Sequence, residues 1–357
     1  MKAFITVGTT EFDHLIEVIN QEETQKLFKQ LGITELTVQY GKGKTVPESK
    51  TDIKINAFTL KPSILEYFES ADVIITHAGA GSVRESLERH KPTIVVINDR
   101  LMHNHQTEMA KKLAELKAIT YCSSPSELQS ILKSFEIKEG KQIILEGNTH
   151  DKYVSDCLAN WCGLTETSKT DKKSDETAKK NKKDICVVLG SGGHTMEMMH
   201  VLTPFEKEYR NEINQFDVIV AETDKISPQK MEHIKTEKKI HTIPRSRQVG
   251  QSYFTSIFTT LYSLLICFKM MWNITADVLI CNGPGTCVPV CVACWLFNLF
   301  RRKKTKIIYL ESVCRVTSLS LSGKILKWIT DVFVVQWDEL MPLNKKALVN
   351  HFFYSVE

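Results

Sequence analysis

The feature that most constrains this chain is a pair of glycine-rich turns, one in each half, each entered from a short apolar run. The first lies in Phe4-Ile5-Thr6-Val7-Gly8-Thr9-Thr10, the second in Val187-Val188-Leu189-Gly190-Ser191-Gly192-Gly193-His194-Thr195. A strand that ends in small residues and passes into a helix presents backbone N–H groups to an anion, and the helix dipole adds to the attraction. Two such units in one chain predict two nucleotide- or diphosphate-binding domains facing across a cleft. That points to a transferase acting on diphosphate-linked substrates.

The rest of the chain is organised around these turns. Strand-like runs at Phe4–Val7, Leu36–Tyr40, Ile53–Ile55, Val73–Thr76, Thr93–Ile97 and Ile119–Tyr121 alternate with helical patterns near 13–29, 62–69, 82–89 and 106–116. Short apolar strands alternating with amphipathic helices predict a parallel, doubly wound α/β sheet. The stretch 166–184 then holds seven Lys, five acidic residues and no large apolar group. It cannot bury enough surface to fold and reads as a solvated linker. The predicted domains are 1–164 and 185–357, joined by a polar linker at 165–184. After the linker the pattern restarts, with strands at Ile185–Leu189, Asp217–Val220, Val278–Cys281, Ile307–Leu310 and Val332–Val335. A chain of 357 residues is long enough for two such domains, each with its own core.

Composition excludes little more. A net charge of +4 does not call for nucleic acid. The cysteines are scattered apart from Cys281, Cys287, Cys291 and Cys294, and the Cys291-x-x-Cys294 spacing sits in an apolar run without a second pair or nearby His. Buried reduced thiols fit that setting better than a zinc or redox site, and fit a cytosolic environment. Two apolar segments approach membrane-spanning length without reaching ~20 continuous apolar residues. They are Phe254–Phe268, which continues through Lys269 to Trp272, and Thr286–Phe300, which is followed by Arg301-Arg302-Lys303-Lys304. Both suit core helices, and the basic cluster beside a Trp-containing apolar helix also suits a surface lying on anionic headgroups.

Two further motifs carry polar chemistry. Thr76-His77-Ala78-Gly79-Ala80-Gly81-Ser82 precedes Glu85, which falls one turn into a helix where a ribose diol could be held. A tight turn with a Ser82–Glu85 capping box satisfies the same spacing. Leu101-Met102-His103-Asn104-His105-Gln106 is a polar knot opening a helix and suits sugar recognition. With His77 it has the donors for a metal but no convincing carboxylate, so no metal is predicted.

These residues carry a family resemblance. His77-Ala-Gly-Ala-Gly-Ser82 with Glu85, Lys91-Pro92, Val95-Val96-Ile97-Asn98, Asn104-His105-Gln106 and the opening Val7-Gly8-Thr9-Thr10-x-Phe12-Asp13 resemble one subunit of a two-subunit enzyme. It is the catalytic subunit of the eukaryotic UDP-GlcNAc transferase that adds the second sugar of the dolichol-linked N-glycan precursor. The second half resembles that enzyme's membrane-recruiting subunit. The matching segments are Gly190-Ser-Gly-Gly-His194-Thr195-x-Glu197-Met198, Asn282-Gly283-Pro284-Gly285-Thr286-Cys287-Val288-Pro289, Tyr309-Leu-Glu311-Ser312-Val-Cys314-Arg315 and Val335-Gln336-Trp337. The chain thus looks like both subunits fused, catalytic part first. More distantly, both halves are similar to the bacterial lipid II-forming GlcNAc transferase, whose domains run in the opposite order.

The resemblance implies a GT-B architecture and inverting transfer of GlcNAc from UDP-GlcNAc to the 4-hydroxyl of GlcNAc-diphosphodolichol. It implies a site at the cytosolic face of the endoplasmic reticulum membrane, with the preceding GlcNAc-phosphate transferase of the pathway as a partner. In the donor half, amides around Gly8, Thr9 and Thr10 suit the diphosphate. The family places the nucleoside at Gly79, Ala80 and Glu85, within a turn that includes His77, Gly81 and Ser82, and the sugar at His105 and Gln106, with Asn104 beside them in the donor site. In the acceptor half, Gly190, Gly192, Gly193 and Thr195 suit a lipid diphosphate, Asn282, Gly283 and Gly285 line the cleft, and Arg315 is a phosphate contact. His194 and Glu311 are rival candidates for the general base, and His194 also reads as a residue that positions the ligand. No cofactor or divalent metal is required. The partner subunit usually carries a transmembrane helix ahead of its first strand, where this chain has the polar linker, so membrane attachment falls to the apolar segments or to another protein. The same residues leave room for a different polyprenyl-diphosphate sugar, or for a non-catalytic nucleotide-binding scaffold. A dinucleotide oxidoreductase fits poorly, because neither turn is G-x-G-x-x-G with an acidic residue ~20 positions on. About twenty flexible residues reach on the order of 25 Å, enough for one chain to build the site or for two chains to exchange domains.

Overall fold

A computed structural model describes residues 1–98, 106–138, 148–164, 182–246, 253–344 and 347–350, with side chains from 150 and 257 onward in the helices that begin at 148 and 253. It divides into two compact units. The first contains β1 (Lys2–Thr6), α1 (Asp13–Ile19), α2 (Glu22–Gln30), β2 (Glu35–Gln39), β3 (Lys54–Phe58), α3 (Leu65–Ser70), β4 (Val73–His77), α4 (Ala80–Glu88), β5 (Thr93–Val96), α5 (Gln106–Glu115), β6 (Thr120–Cys122) and α6 (Leu128–Ser134). Its strands pair in parallel in the order β3-β2-β1-β4-β5-β6.

Strand periodicity explains why helices cover both faces. Alternate residues of a strand point to opposite sides. Ala3 and Ile5 of β1 join Leu15, Ile16, Leu27 and Phe28 of α1 and α2 and Leu128 of α6 in one core. Phe4, between them, packs with Phe68 of α3 and Ile74 of β4 on the other side, its ring edge-on to Phe68 at 5.1 Å. The predicted helix 13–29 is two helices, because Gln21 is extended at the N-cap of α2. Just before it, the side chain of Asn20 bonds outward to Val46 and Glu48.

The second unit begins with α7 (Asn148–Cys162). It continues through β7 (Lys183–Val188), α8 (Gly193–Tyr209), β8 (Ile213–Ala221), α9 (Ser227–Lys230), β9 (Lys238–Ile243), α10 (Tyr253–Asn273), β10 (Val278–Asn282), α11 (Cys287–Asn298), β11 (Lys306–Leu310), α12 (Leu321–Leu326), β12 (Val332–Val335) and β13 (Ala347–Val349). All its strands are parallel, in the order β13-β12-β11-β10-β7-β8-β9. Counted within the unit this is the arrangement of the first sheet with one strand added at the end. Cys186, Val188, Leu279, Cys281, Ile307 and Tyr309 face α10, α11 and α12, while α8 packs on β10 and is itself covered by α7.

Helix α7 groups with the second unit by its packing, so this division falls before 148 rather than at 164. Most of the expected linker, 165–181, lies outside the described residues, and Lys183 and Asp184 already belong to β7. Nine of the ten cysteines are buried and none is bonded to another. Cys281 and Cys291 lie with their sulfurs 3.3 Å apart in the core of the second sheet, where burial pushes the Cys294 thiol up to about 12.

Candidate functional site

In an open parallel sheet, ligands bind beyond the carboxyl ends of the strands where the strand order reverses. Here that point falls between β1 and β4 in the first unit and between β7 and β10 in the second. All four loops leaving these strands carry the glycine motifs singled out above.

In the first unit, Gly8 adopts φ +62°, and a Cβ there would lie 2.8 Å from Cε1 of His77. A Cβ on Gly79 would lie 2.4 Å from Nε2 of the same ring. The two glycines therefore make room for an imidazole. His77 is 9% exposed, and burial pushes its pKa down to about 4, so the ring is neutral at physiological pH. Expected among the ligand-binding residues, it packs between the backbones of Gly8 and Gly79 at the floor of the turn. Gly8 N–H donates to Thr6 Oγ1 (3.0 Å), which in turn donates to Gln39 Oε1 (2.5 Å). Thr10 donates to the Val7 carbonyl through Oγ1 at 2.8 Å and through its amide at 3.4 Å. Two of the three amides expected for the diphosphate are thus engaged within the turn, and Thr9 is its exposed tip.

A helix start without a side-chain cap lies at β4–α4. Strand β4 ends at His77 and α4 begins at Ala80, with Gly79 at the N-cap and no side-chain cap. The amides of Ala80, Gly81 and Ser82 therefore fall in the first turn, where no helical carbonyl lies behind them. Ser82 is already the third helical residue, so the alternative Ser82–Glu85 capping box does not form. The carboxylate of Glu85 instead accepts from Arg89 Nη1 at 2.7 Å. Burial holds its pKa above the usual carboxylate range. Gln106 opens α5; Asn104 and His105 lie outside the described residues.

In the second unit, α8 starts directly from the turn, with Gly192 at the N-cap (φ +64°) and again no side-chain cap. A Cβ on Gly192, Gly193 or Gly285 would meet nothing within 4 Å, so space is open around them. By contrast, a Cβ on Gly190 would lie 2.7 Å from Pro284 and 2.8 Å from the His194 Cβ. One on Gly283 (φ +65°) would lie 2.7 Å from His194 Cε1. The β7 and β10 turns thus close on either side of His194. Asn282 Nδ2 donates to the His194 carbonyl at 2.6 Å, and Thr195 Oγ1 bonds the Gly190 carbonyl and, at 2.6 Å, Ser227 Oγ.

Of the two candidate bases only His194 faces the crevice, with its side chain 31% exposed. Glu311 is 1% exposed. Its carboxylate accepts from the amides of Ser312 and Ser320 (3.0 Å each), from Ser320 Oγ (3.1 Å) and from Tyr309 Oη (3.3 Å). A Cβ on Gly323 would fall 2.2 Å from its Oε2. Glu311 thus ties β11 to the start of α12 and is spent as a structural acceptor. Arg315, expected as a phosphate contact, falls in a segment that packs with the first unit. Cys314–Val316 group with the first unit, where the Arg315 guanidinium lies 3.9 Å from Glu108.

The cation at the second turn is one that sequence reading passed over. Arg245, just past the end of β9, donates through Nη2 to Ser191 Oγ at 3.0 Å. Nothing local in the sequence marks it, because strand pairing brings the end of β9 beside the turn. Glu197, quoted above only as part of a matching segment, sits one turn after His194, and its Oε2 lies 3.4 Å from His194 Nδ1. Among the described residues no cluster of three or more His, Cys, Asp or Glu side chains could hold a metal ion.

Two Rossmann-type parallel units, each with an uncapped helix start and small residues at its switch point, are the domains from which GT-B glycosyltransferases are built. Comparison with known proteins divides the chain in the same way. Residues 185–351 match the family model described as oligosaccharide biosynthesis protein Alg14 like, and residues 2–148 match the glycosyltransferase family 28 C-terminal domain. The UDP-N-acetylglucosamine transferase subunit ALG14 of Rattus norvegicus is 40% identical over 176 residues, covering 46% of this chain and 80% of the relative. ALG14 of Homo sapiens is 39% identical over 176 residues, with the same coverage. Subunit ALG13 of Homo sapiens is 43% identical over 122 residues, which is 34% of this chain and 11% of the much longer relative. The chain belongs to the Alg14 family, joined in one polypeptide to a glycosyltransferase family 28 domain similar to that of ALG13.

Proposed function

We propose that this chain is an inverting N-acetylglucosaminyltransferase that moves GlcNAc from UDP-GlcNAc to GlcNAc-diphosphodolichol, with donor and acceptor machinery in one polypeptide. The observation that carries the reading is the coincidence of both glycine motif sets with the switch points of the two sheets. The first unit binds the donor. The α4 amides Ala80–Ser82 face its diphosphate, and Glu85 exchanges part of its Arg89 contact for the ribose. The second unit binds the acceptor, whose diphosphate lies over the Gly192–Thr195 amides with Arg245 beside it. Helix-terminal amides and this guanidinium supply the positive potential for both phosphates, so the reaction requires no divalent metal.

His194 is the general base. It removes the proton of the acceptor hydroxyl as that oxygen bonds the anomeric carbon, and the carbon–oxygen bond to UDP breaks with its electron pair on the phosphate. Histidine is the side chain suited to moving a proton at neutral pH. The variant His194→Ala lowers kcat by ~10²-fold or more and leaves donor KM near its original value, whereas Glu85→Ala raises donor KM. A His194→Ala effect confined to acceptor KM would reassign the residue to binding.

The second unit also carries a face suited to a membrane surface, proposed here as the cytosolic face of the endoplasmic reticulum. Ile257, Phe258, Leu261, Tyr262 and Leu265 are all more than half exposed on α10. Leu299 and Phe300 just past α11, and Leu321 and Trp328 at α12, are equally open. Among the described residues no helix is long and apolar enough to cross a membrane, which makes in-plane contact the form of attachment this face supports.

A further inference from the structure

We infer that Glu197 is a positioning residue that holds the His194 ring with Nδ1–H toward its carboxylate and Nε2 toward the acceptor, and that Ser312 and Asn282 hold Glu197 in turn. The inference deepens the reading of His194 as the base and rests on it.

The geometry is that of a shielded carboxylate behind a half-open imidazole. Glu197 Oε2 lies 3.4 Å from His194 Nδ1, with side-chain exposures of 8% for Glu197 and 31% for His194. The other oxygen, Oε1, accepts from Ser312 Oγ at 2.8 Å. Asn282 Nδ2 points at Glu197 Oε2 at 3.4 Å while donating to the His194 carbonyl at 2.6 Å. Both its targets are acceptors, which fixes the amide orientation. The ring has little freedom to turn away, because the Gly283 backbone lies against its Cε1–Nδ1 edge. The 3.4 Å separation is long for a hydrogen bond, and catalytic contacts commonly tighten when substrate binds.

A carboxylate facing Nδ1 selects the tautomer with the proton on Nδ1. Nε2 is then the basic atom, and the imidazolium formed after proton transfer is stabilised by the same carboxylate. Among the described residues, other charged groups stand near the turn: Lys230 Nζ lies 2.7 Å from Met196 Sδ, and Asp224 accepts from Ser227 Oγ, the partner of Gly190 and Thr195. Arg245 bonds Ser191, and Glu311 is occupied by its own donors beside Ser312. Glu197 is the one of these that faces the ring nitrogen.

The test uses the full chain with UDP-GlcNAc and a GlcNAc-diphospho-phytanyl acceptor. Glu197→Gln lowers kcat by ~10-fold or more with donor KM unchanged, and moves the acid limb of the kcat/KM profile to lower pH. Glu197→Asp keeps the limb in place. Nitrogen NMR of the unaltered protein, with His194 assigned from the His194→Gln spectrum, reads a ring protonated at Nδ1, a result that does not depend on any Glu197 variant folding. A ring protonated at Nε2, or a Glu197→Gln enzyme with unchanged kcat and acid limb beside an inactive His194→Ala, overturns the inference and leaves the base assignment standing. Full activity in His194→Ala overturns both.

Discussion

Two histidines in this chain lie against glycine backbone, and burial separates their chemistry. His194 reaches solvent and has a carboxylate behind it, whereas His77 is enclosed between Gly8 and Gly79. The low folded pKa of His77, about 4 against an unfolded value of 6.5, gives a definite pH dependence. As pH falls, the unfolded chain takes up the proton first, so stability declines between pH ~6.5 and ~4 and this group contributes no further loss below that. At ~1.4 kcal/mol per pKa unit the loss is about 3 kcal/mol. Urea unfolding at pH 7 and pH 4.5 is expected to show a smaller decline for His77→Gln than for the parent; parallel declines would contradict the buried, neutral ring. At the same scale the sequence was least legible. The glycines at 8, 79, 190 and 283 were visible as glycines, but whether the missing Cβ makes room for a ligand or for a histidine depends on pairing partners far along the chain. Glu197 was open to a closer reading, since an i,i+3 carboxylate lies on the same helix face as His194. Arg245 had no such signal.

Secondary-structure elements divide by where they sit in the sheet. Central strands such as β4 and β10 are buried on both faces and read directly as apolar runs. The strands that sequence reading missed, β9 and β13, are the two edges of the second sheet. Of the residues of β9, Lys-Lys-Ile-His-Thr-Ile, Ile243 alone is buried, so the strand needs no apolar run. The basic cluster after α11 is also only partly what its sequence promised. Arg301 bonds the carbonyls of Met271, Trp272 and Ile274, closing the end of α10, and Lys303 pairs with Asp277 at 2.6 Å. Arg302 and Lys304 are left on the exposed surface. The proposed membrane attachment therefore rests more on the apolar face of α10 than on charge. Replacing Phe258, Leu261 and Leu265 with Ser removes three exposed side chains, each worth roughly 1.5–3 kcal/mol when buried. Sedimentation with vesicles containing anionic lipid is expected to lose most of the bound fraction in this variant and to keep most of it in Arg302→Ala with Lys304→Ala. The opposite ranking would make attachment electrostatic.

The whole molecule joins an Alg14 domain to a family 28 domain that its relatives carry as separate subunits. The fold class, the two-unit plan and the family were legible because each unit repeats the same order of strands and glycine turns. The unit boundary was less so, because α7 precedes the polar stretch in sequence yet packs on α8. Under the proposed function, covalent joining would keep each half at an effective concentration on the order of millimolar for the other, in place of tight docking between separate chains. The most direct measurement is transfer of labelled GlcNAc from UDP-GlcNAc to GlcNAc-diphospho-phytanol by the purified chain, with no other protein added. A disaccharide-lipid product, lost in His194→Ala, is the predicted result. Absence of product under conditions where the chain binds both UDP-GlcNAc and the acceptor would contradict the claim that this one polypeptide is a complete transferase.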